Sequence, residues 1–418
     1  MPLTLLPKHS PAMRPLDFAQ MARRTRDPDA YLQALWGPRL PGKTVFGTPA
    51  GRHALWAFLE AAKIPRDGEV IVAGYNYYVI VRLLVQWGLR PVFVDIELAT
   101  LSLDPDGVTK AFTDRTRLVV VTHMFGAPAD LDGILAACRP RGVKVFEDCA
   151  HAVGASDGHG QLGLRGDGAL FSFGPQKVVN CFGGGMLALD PALARDWTPS
   201  PQPKVSWAVA ASTPAKALVS ALLTPSLYRW TLRPLISLGR WLAARGWPWL
   251  RDLASPSKDL QGYRFDPRSR PPFAGFMPLL CARQLERLDR NVQARRAVVA
   301  KVKAATAHLS AYRFLDEDRF GRSNGSYFGV FVDDPETFTR FMLSKGVEVE
   351  PHEFYDCASL PQFAEFAADC PRARLASDHL VRLPSYPQLS GRRLARIIGA
   401  MEHYAQAAPA LNAEAAPC

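Results

Sequence analysis

The chain has 418 residues, enough for two domains with separate cores, because a single core rarely grows past roughly 250–300 residues. Its 48% hydrophobic and 21% charged content is ordinary for a globular enzyme and excludes a disordered or fibrous chain. The net charge of +11 favours anionic partners, but no run of Lys and Arg dominates and no nucleic-acid motif is legible, so a direct nucleic-acid binder is set aside.

Residues 1–43 carry prolines at both ends and read as an N-terminal arm. From Lys43 the rhythm becomes strand and helix in alternation. Ala50–Ile64 is an amphipathic helix with Leu55, Phe58, Leu59 and Ala62 on one stripe. Glu69–Ala73 is a short strand, Tyr78–Trp87 a helix, Pro91–Asp95 a strand and Asp104–Phe112 a helix. Leu118–Thr122 and Val143–Glu147 are apolar runs of the kind buried on both faces of a sheet, with the helix Leu131–Arg139 between them. Ala169–Phe173 and Gly185–Leu189 complete the set. Strands alternating with helices predict an α/β fold with a large, doubly wound, mainly parallel sheet over residues 44–270. Beyond Gly275 a helix runs through Leu285, Leu288 and Val292 toward Val302. A smaller α/β domain over 271–405 then takes strand Tyr327–Val332, helix Pro335–Ser344, strand Val347–Pro351 and helix Gly391–Ala405. The Ala/Pro-rich tail 406–418 reads as disordered.

Seven widely spaced cysteines with no CxxC pair argue against a disulfide framework or a thiolate metal site and for a reducing compartment. Met1–Arg14 lacks the apolar core of a secretion signal, so the expected location is the cytoplasm.

Ligands of open α/β sheets bind at the carboxyl ends of the strands, and three strand ends carry reactive types. Asp148 ends an apolar strand, where a carboxylate is costly unless it meets a cation such as a protonated pyridinium nitrogen; the alternative is a helix cap. Lys177 follows a strand in a turn with Gly174 and Pro175, ahead of Gly183-Gly184-Gly185; a lysine desolvated there is an imine-forming amine, and otherwise it is an ordinary solvated lysine. Gly47-Thr48-Pro49-Ala50-Gly51-Arg52-His53 leads into a helix, whose free N–H groups suit a phosphate, with Arg52 adding charge and Ser172 a further donor. Tyr77, after the strand Glu69–Ala73, is placed to stack on a planar ring or to line the core.

These features occur in order, in the stretches GEVIVAGYNYY, PVFVDIELATLSLD, VVVTHMFGAPADLD, VFEDCAHAVGA, GDGALFSFGPQK and QLERLDRNVQARR. The chain resembles the DegT/DnrJ/EryC1/StrS family of fold-type-I, pyridoxal-5'-phosphate-dependent sugar aminotransferases, over about residues 44–190 and more weakly 275–400. The resemblance implies that Lys177 is the Schiff-base lysine and proton shuttle and that Asp148 pairs with the pyridine nitrogen. It further implies that His151 lies beside the cofactor ring, that Tyr77 stacks on it, and that Gly51, Arg52, His53 and Ser172 hold its phosphate. It implies L-glutamate as amino donor, a keto-sugar as acceptor, a homodimer, and a place in polysaccharide, glycolipid or secondary-metabolite biosynthesis. Other chemistry on the same cofactor, such as dehydration, and a non-catalytic regulator are the rival readings; the retained lysine separates the chain from the dehydratase branch, which carries histidine there. The chain departs from the family in three places. The helix start reads Ala50-Gly51-Arg52-His53 where the family has Ser-Gly-Thr-Ala, the stretch after the lysine reads Cys181-Phe182-Gly183-Gly184-Gly185 where the family has Gly-Glu-Gly-Gly, and the partner-donated asparagine has no clear match near Arg270–Phe273.

Residues 200–260 interrupt the alternation with five of the nine tryptophans and with Lys204, Lys216, Arg229, Arg233, Arg240, Arg245 and Arg251. No apolar run there reaches the roughly 20 residues of a membrane span. Basic residues among Trp and Leu fit a helical hairpin in a membrane interface at 204–251, with a lipid-linked acceptor as its corollary, or a helical flap packed on the dimer.

Overall fold

The computed structural model describes residues 5–10, 12–199, 264–267, 273 and 275–407, so the expectations for the insertion at 200–260 and for the tail 406–418 fall outside or almost wholly outside the described residues. Seven strands form the large sheet: β1 Thr44–Thr48, β2 Glu69–Ala73, β3 Arg90–Val94, β4 Thr116–Thr122, β5 Lys144–Asp148, β6 Gly168–Ser172 and β7 Gly185–Leu189. Their order is β1-β7-β6-β5-β4-β2-β3. The five strands from β3 to β6 are parallel, and β7 pairs antiparallel with both β6 and β1. Every residue of β2 and β7 is buried, as the apolar runs require.

Helices α1 Pro28–Trp36, α2 Gly51–Ala61, α3 Tyr78–Trp87, α4 Pro105–Ala111 and α5 Leu131–Cys138 accompany these strands. Helix α3 stops at Gly88, whose φ of 108° is open to glycine at little cost. The second half contributes α6 Met277–Leu285 and α7 Leu288–Thr306, separated at Glu286–Arg287 where a single helix was expected. A four-stranded sheet follows, with β8 Arg313–Phe314, β9 Phe328–Phe331, β10 Glu350–Pro351 and β11 Leu380–Leu383 in the order β8-β9-β11-β10. Helices α8 Pro335–Ser344, α9 Pro371–His379 and α10 Arg392–Ala405 accompany this sheet. Asp334 caps α8 by accepting from Thr337 N, with Pro335 at the first helical position.

Backbone pairing ties the halves together. Tyr75–Asn76, just past β2, pairs antiparallel with Tyr355–Asp356. The N-terminal arm lies on the small sheet's side of the molecule, where Leu6 bridges to Val347 and is 1% exposed. Among the described residues no helix is long and apolar enough to cross a membrane.

Candidate active site

The carboxyl ends of β4, β5 and β6 stand side by side, with Thr122 opposite Asp148 and Asp148 opposite Leu170 in register. Asp148 is 6% exposed and accepts one hydrogen bond, from Ala150 N at 2.9 Å. Burial pushes its carboxyl above the usual carboxylate range, against that bond and the charge of Lys177. Beneath it, Glu147 and His123 form a closed strut. His123 Nδ1 accepts from Ala129 N at 3.1 Å, so its Nε2–H donates to Glu147 at 3.0 Å. Glu147 also accepts from the N–H groups of Gly163, Arg165 and Gly166 at 2.7, 2.9 and 2.6 Å. Burial alone would raise its pKa, but His123 and these N–H groups hold it below the ordinary value. Cys149 Sγ approaches this pair, yet the strut's own bonds already use both histidine nitrogens.

Lys177 sits in the turn after β6, its N–H donating to the Gly174 carbonyl at 3.0 Å. The turn is pinned from elements far along the chain. Asn291 Nδ2 of α7 reaches the Val178 carbonyl at 3.5 Å, and Gln284 of α6 exchanges two bonds with the Asn180 backbone at 2.9 and 2.8 Å. From the arm, the His9 imidazole hydrogen-bonds the Pro175 backbone, which offers only a carbonyl. Lys177 Nζ is 3.4 Å from Tyr327 Oη. Burial lowers the lysine pKa from 10.5 to about 8, with Glu353 and Asp148 opposing the shift and Arg382 adding to it.

Aromatic rings close over this lysine. His151 stacks on Tyr327 with centroids 4.1 Å apart and planes at 22°, and Phe354 meets His151 edge-on at 5.4 Å. Tyr77, 37% exposed at the start of α3, meets Phe354 edge-on at 6.2 Å. The Arg382 guanidinium lies over the Tyr327 ring at 4.6 Å and pairs with Glu350 at 2.6 Å and Glu353 at 2.7 Å. Burial, then Lys177 and Arg382, push the His151 imidazole well below its usual pKa, so the ring is neutral; burial likewise pushes the Tyr327 phenol up.

Helix α2 starts under the same edge. Its N-cap, Ala50, supplies no side-chain bond, and Ala50 bridges to Gly184. A Cβ on Gly51 would stand 3.3 Å from Ser172 Cβ, and one on Gly185 would stand 2.5 Å from Gly51 N, so the helix start is seated directly on β6 and β7. Arg52 is half-buried at the second helical position. His53 N donates to the Ala50 carbonyl at 2.9 Å, and its ring packs edge-on against Phe265 at 4.9 Å. Lys177, Asp148, His151, Tyr77, Ser172 and Gly51 thus gather at one edge, whereas the His53 ring turns toward an aromatic neighbour.

The residues present fit pyridoxal 5'-phosphate on three counts. A buried carboxylate has one protein hydrogen bond and calls for a cationic partner, as the ring nitrogen would be. Thr122 Oγ1, opposite it in register, is buried without a hydrogen-bond partner among the described residues. An uncapped helix start offers its first N–H groups to a phosphate.

Tyr327, Glu353, Arg382, Phe354, Asn291 and His9 went unassigned in the sequence because they reach the lysine from distant segments. Arg295 did leave a signal: it occupies the stripe of Val292, Val299 and Val302, the buried face of α7.

A family model described as the DegT/DnrJ/EryC1/StrS aminotransferase family matches residues 41–198 and 277–402. Among curated proteins, the chain is 36% identical over 142 residues to a UDP-N-acetyl-3-dehydro-alpha-D-glucosamine 3-aminotransferase of Acidithiobacillus ferrooxidans, covering 34% of this chain and 38% of that one. It is 37% identical over 142 residues to an L-glutamine:scyllo-inosose aminotransferase of Streptomyces griseus, covering 34% of each. The aligned stretch therefore spans little more than a third of these relatives. Among solved structures, the aminotransferase TlmJ from Streptoalloteichus hindustanus matches with a TM-score of 0.74 and 22% identity, over 96% of this chain and 99% of that one. DesV of S. venezuelae matches with a TM-score of 0.71 and 23% identity, over 94% of each chain. These likenesses establish the fold.

Proposed function

The chain belongs to the DegT/DnrJ/EryC1/StrS aminotransferase family, and on that premise we propose that it is a pyridoxal-5'-phosphate-dependent aminotransferase that moves an amino group from L-glutamate to a keto-sugar carried on a nucleotide or a lipid. The observation that carries this reading is the meeting, at adjacent strand ends, of a desolvated lysine and a buried carboxylate above an uncapped helix start. The amino-sugar relatives support a keto-sugar acceptor, and the site's position beside the small sheet supports an acceptor chosen by the second half of the chain.

In this reading Asp148 holds a proton at the ring nitrogen, Tyr77 and His151 orient the ring, and Gly51, Arg52 and Ser172 hold the phosphate. The cofactor, when bound, supplies an aldehyde that condenses with amines and an electron-poor ring that accepts the electron pair of a substrate carbanion. Lys177 Nζ, neutral above a pH of about 8, takes a proton from the donor's α-carbon and returns one on the product side. Tyr327 Oη holds that amine in place at 3.4 Å. The aromatic cover of His151, Phe354 and Tyr77 limits water at the reacting carbon. A homodimer in the cytoplasm completes the proposal.

Borohydride treatment of the cofactor-loaded protein, followed by peptide mass spectrometry, tests it. The mass of one reduced cofactor is expected on the Lys177 peptide, and Lys177→Ala is expected to lose both the adduct and turnover. An adduct elsewhere, or full turnover in the variant, would overturn the assignment.

A further inference from the structure

Cys181 closely follows the Lys177 turn, and Cys281 lies on α6, 100 residues further along the chain. Both side chains are fully buried in the apolar cluster that holds Phe173, Phe182, Leu280 and Leu285, and their sulfurs stand 3.2 Å apart. A disulfide bond is about 2.05 Å long, so a closure of only about 1.1 Å would join them.

The two segments are also held face to face by bonds that owe nothing to sulfur. Gln284, one turn after Cys281 on α6, accepts from Asn180 N at 2.9 Å and donates to the Asn180 carbonyl at 2.8 Å. The N–H groups of Cys181 and Gly183 both donate to the Phe173 carbonyl, at 2.9 and 3.2 Å, which fixes the backbone on either side of Phe182. Cys181 Sγ also reaches the Met277 carbonyl, at 3.6 Å. Packing accounts for one buried cysteine but gives no reason for two to meet sulfur to sulfur, because a thiol is a weak donor and a weak acceptor. No CxxC spacing brings this pair together; the fold does. In a reducing compartment such a pair remains as two thiols and is joined only under an oxidant, the behaviour of a redox-sensing pair rather than a structural disulfide. Burial pushes the Cys181 thiol well above its ordinary pKa, which keeps thiolate scarce and oxidation slow until the turn opens locally.

We propose that Cys181 and Cys281 form an oxidation site, at which a hydroperoxide joins the two sulfurs and cross-links the Lys177 turn to α6. One sulfur attacks the peroxide, whose O–O bond breaks; the sulfur becomes a sulfenic acid, and an alcohol or water leaves. The other sulfur then displaces that hydroxyl, so the S–S bond forms as the S–O bond breaks and water departs. The two thiols give up two electrons and two protons, and the peroxide takes up both. A thiol reductant reverses the step by exchange. The cross-link stabilises the fold, because it closes a long loop in the unfolded chain.

The full-length protein, treated with hydrogen peroxide and then with iodoacetamide, is digested without reductant and read by mass spectrometry. A peptide pair joined through Cys181 and Cys281 is expected, lighter than the two free peptides by two hydrogens and absent after dithiothreitol. The thermal midpoint of peroxide-treated wild type is expected to rise and to return with dithiothreitol. Cys181→Ala and Cys281→Ala, measured in parallel, are expected to show neither the pair nor the shift. Sulfinic acid on either cysteine without the joined pair, a pair joined between two chains, or a pair found only in urea-unfolded protein would overturn the proposal. A joined pair that leaves the midpoint unchanged would overturn the cross-link's hold on the turn. The cysteines are read directly, with or without bound cofactor, so this proposal and the aminotransferase reading can fail independently.

Discussion

Lys177 shares its surroundings with two carboxylates and a guanidinium, and burial, aided by the Arg382 guanidinium, outweighs Glu353 and Asp148. Its folded-state pKa, about 8, lies below the ordinary 10.5. The ammonium is therefore disfavoured in the fold at low pH, and that cost is relieved as pH rises from about 8 to 10.5. In cofactor-free protein, the rate at which trinitrobenzenesulfonate modifies Lys177 should rise with a midpoint near 8. Asp148→Asn should lower that midpoint, because the carboxylate favours the charged amine. A midpoint near 10.5 in wild type would contradict the account. Lys177 and Asp148 were legible in the sequence because each puts a costly or reactive group at the end of an apolar strand. Tyr327 was not, since it reaches the lysine across 150 residues and only the small sheet brings it there.

The strands and helices with strong end signals were read to the residue. Tyr78–Trp87 is bounded by Gly88, Pro335–Ser344 by Asp334, and Gly185–Leu189 follows the glycine run. Thr44–Thr48 was missed because TVFGT lacks apolar alternation and finds its place only by pairing with β7. The expected strand Val347–Pro351 shrank to Glu350–Pro351, because Val347 bridges instead to Leu6 of the arm. The seating of α2 on β7 yields a prediction at this scale. In Gly185→Ala the new Cβ would meet Gly51 N at 2.5 Å, the Ala50 carbonyl carbon at 2.6 Å and Phe171 O at 2.7 Å, all backbone atoms unable to rotate away. Urea unfolding should show a loss of about 1–3 kcal/mol, the usual cost of overpacking, with weaker retention of cofactor. Wild-type stability together with wild-type retention would refute the close seating.

At the scale of the whole molecule, the alternation of the first half foretold a mainly parallel sheet, and the match to family structures over 94–96% of the chain agrees. Less legible was how the two ends of the chain meet. The arm joins the small sheet through Leu6 and reaches Pro175 through His9, while α6 and α7 hold the far side of the same turn. The lysine is thus positioned by residues from both ends of the chain, contacts that no local pattern encodes. The central claim is that the assembled edge exchanges an amino group with glutamate through a cofactor on Lys177. Its most direct test is the absorbance spectrum of the purified, cofactor-loaded protein before and after L-glutamate. The account predicts that a near-visible band will give way to one in the near ultraviolet, with release of 2-oxoglutarate, and that Lys177→Ala will show no such conversion. A band indifferent to glutamate in wild type, or no band after cofactor is added, would contradict it.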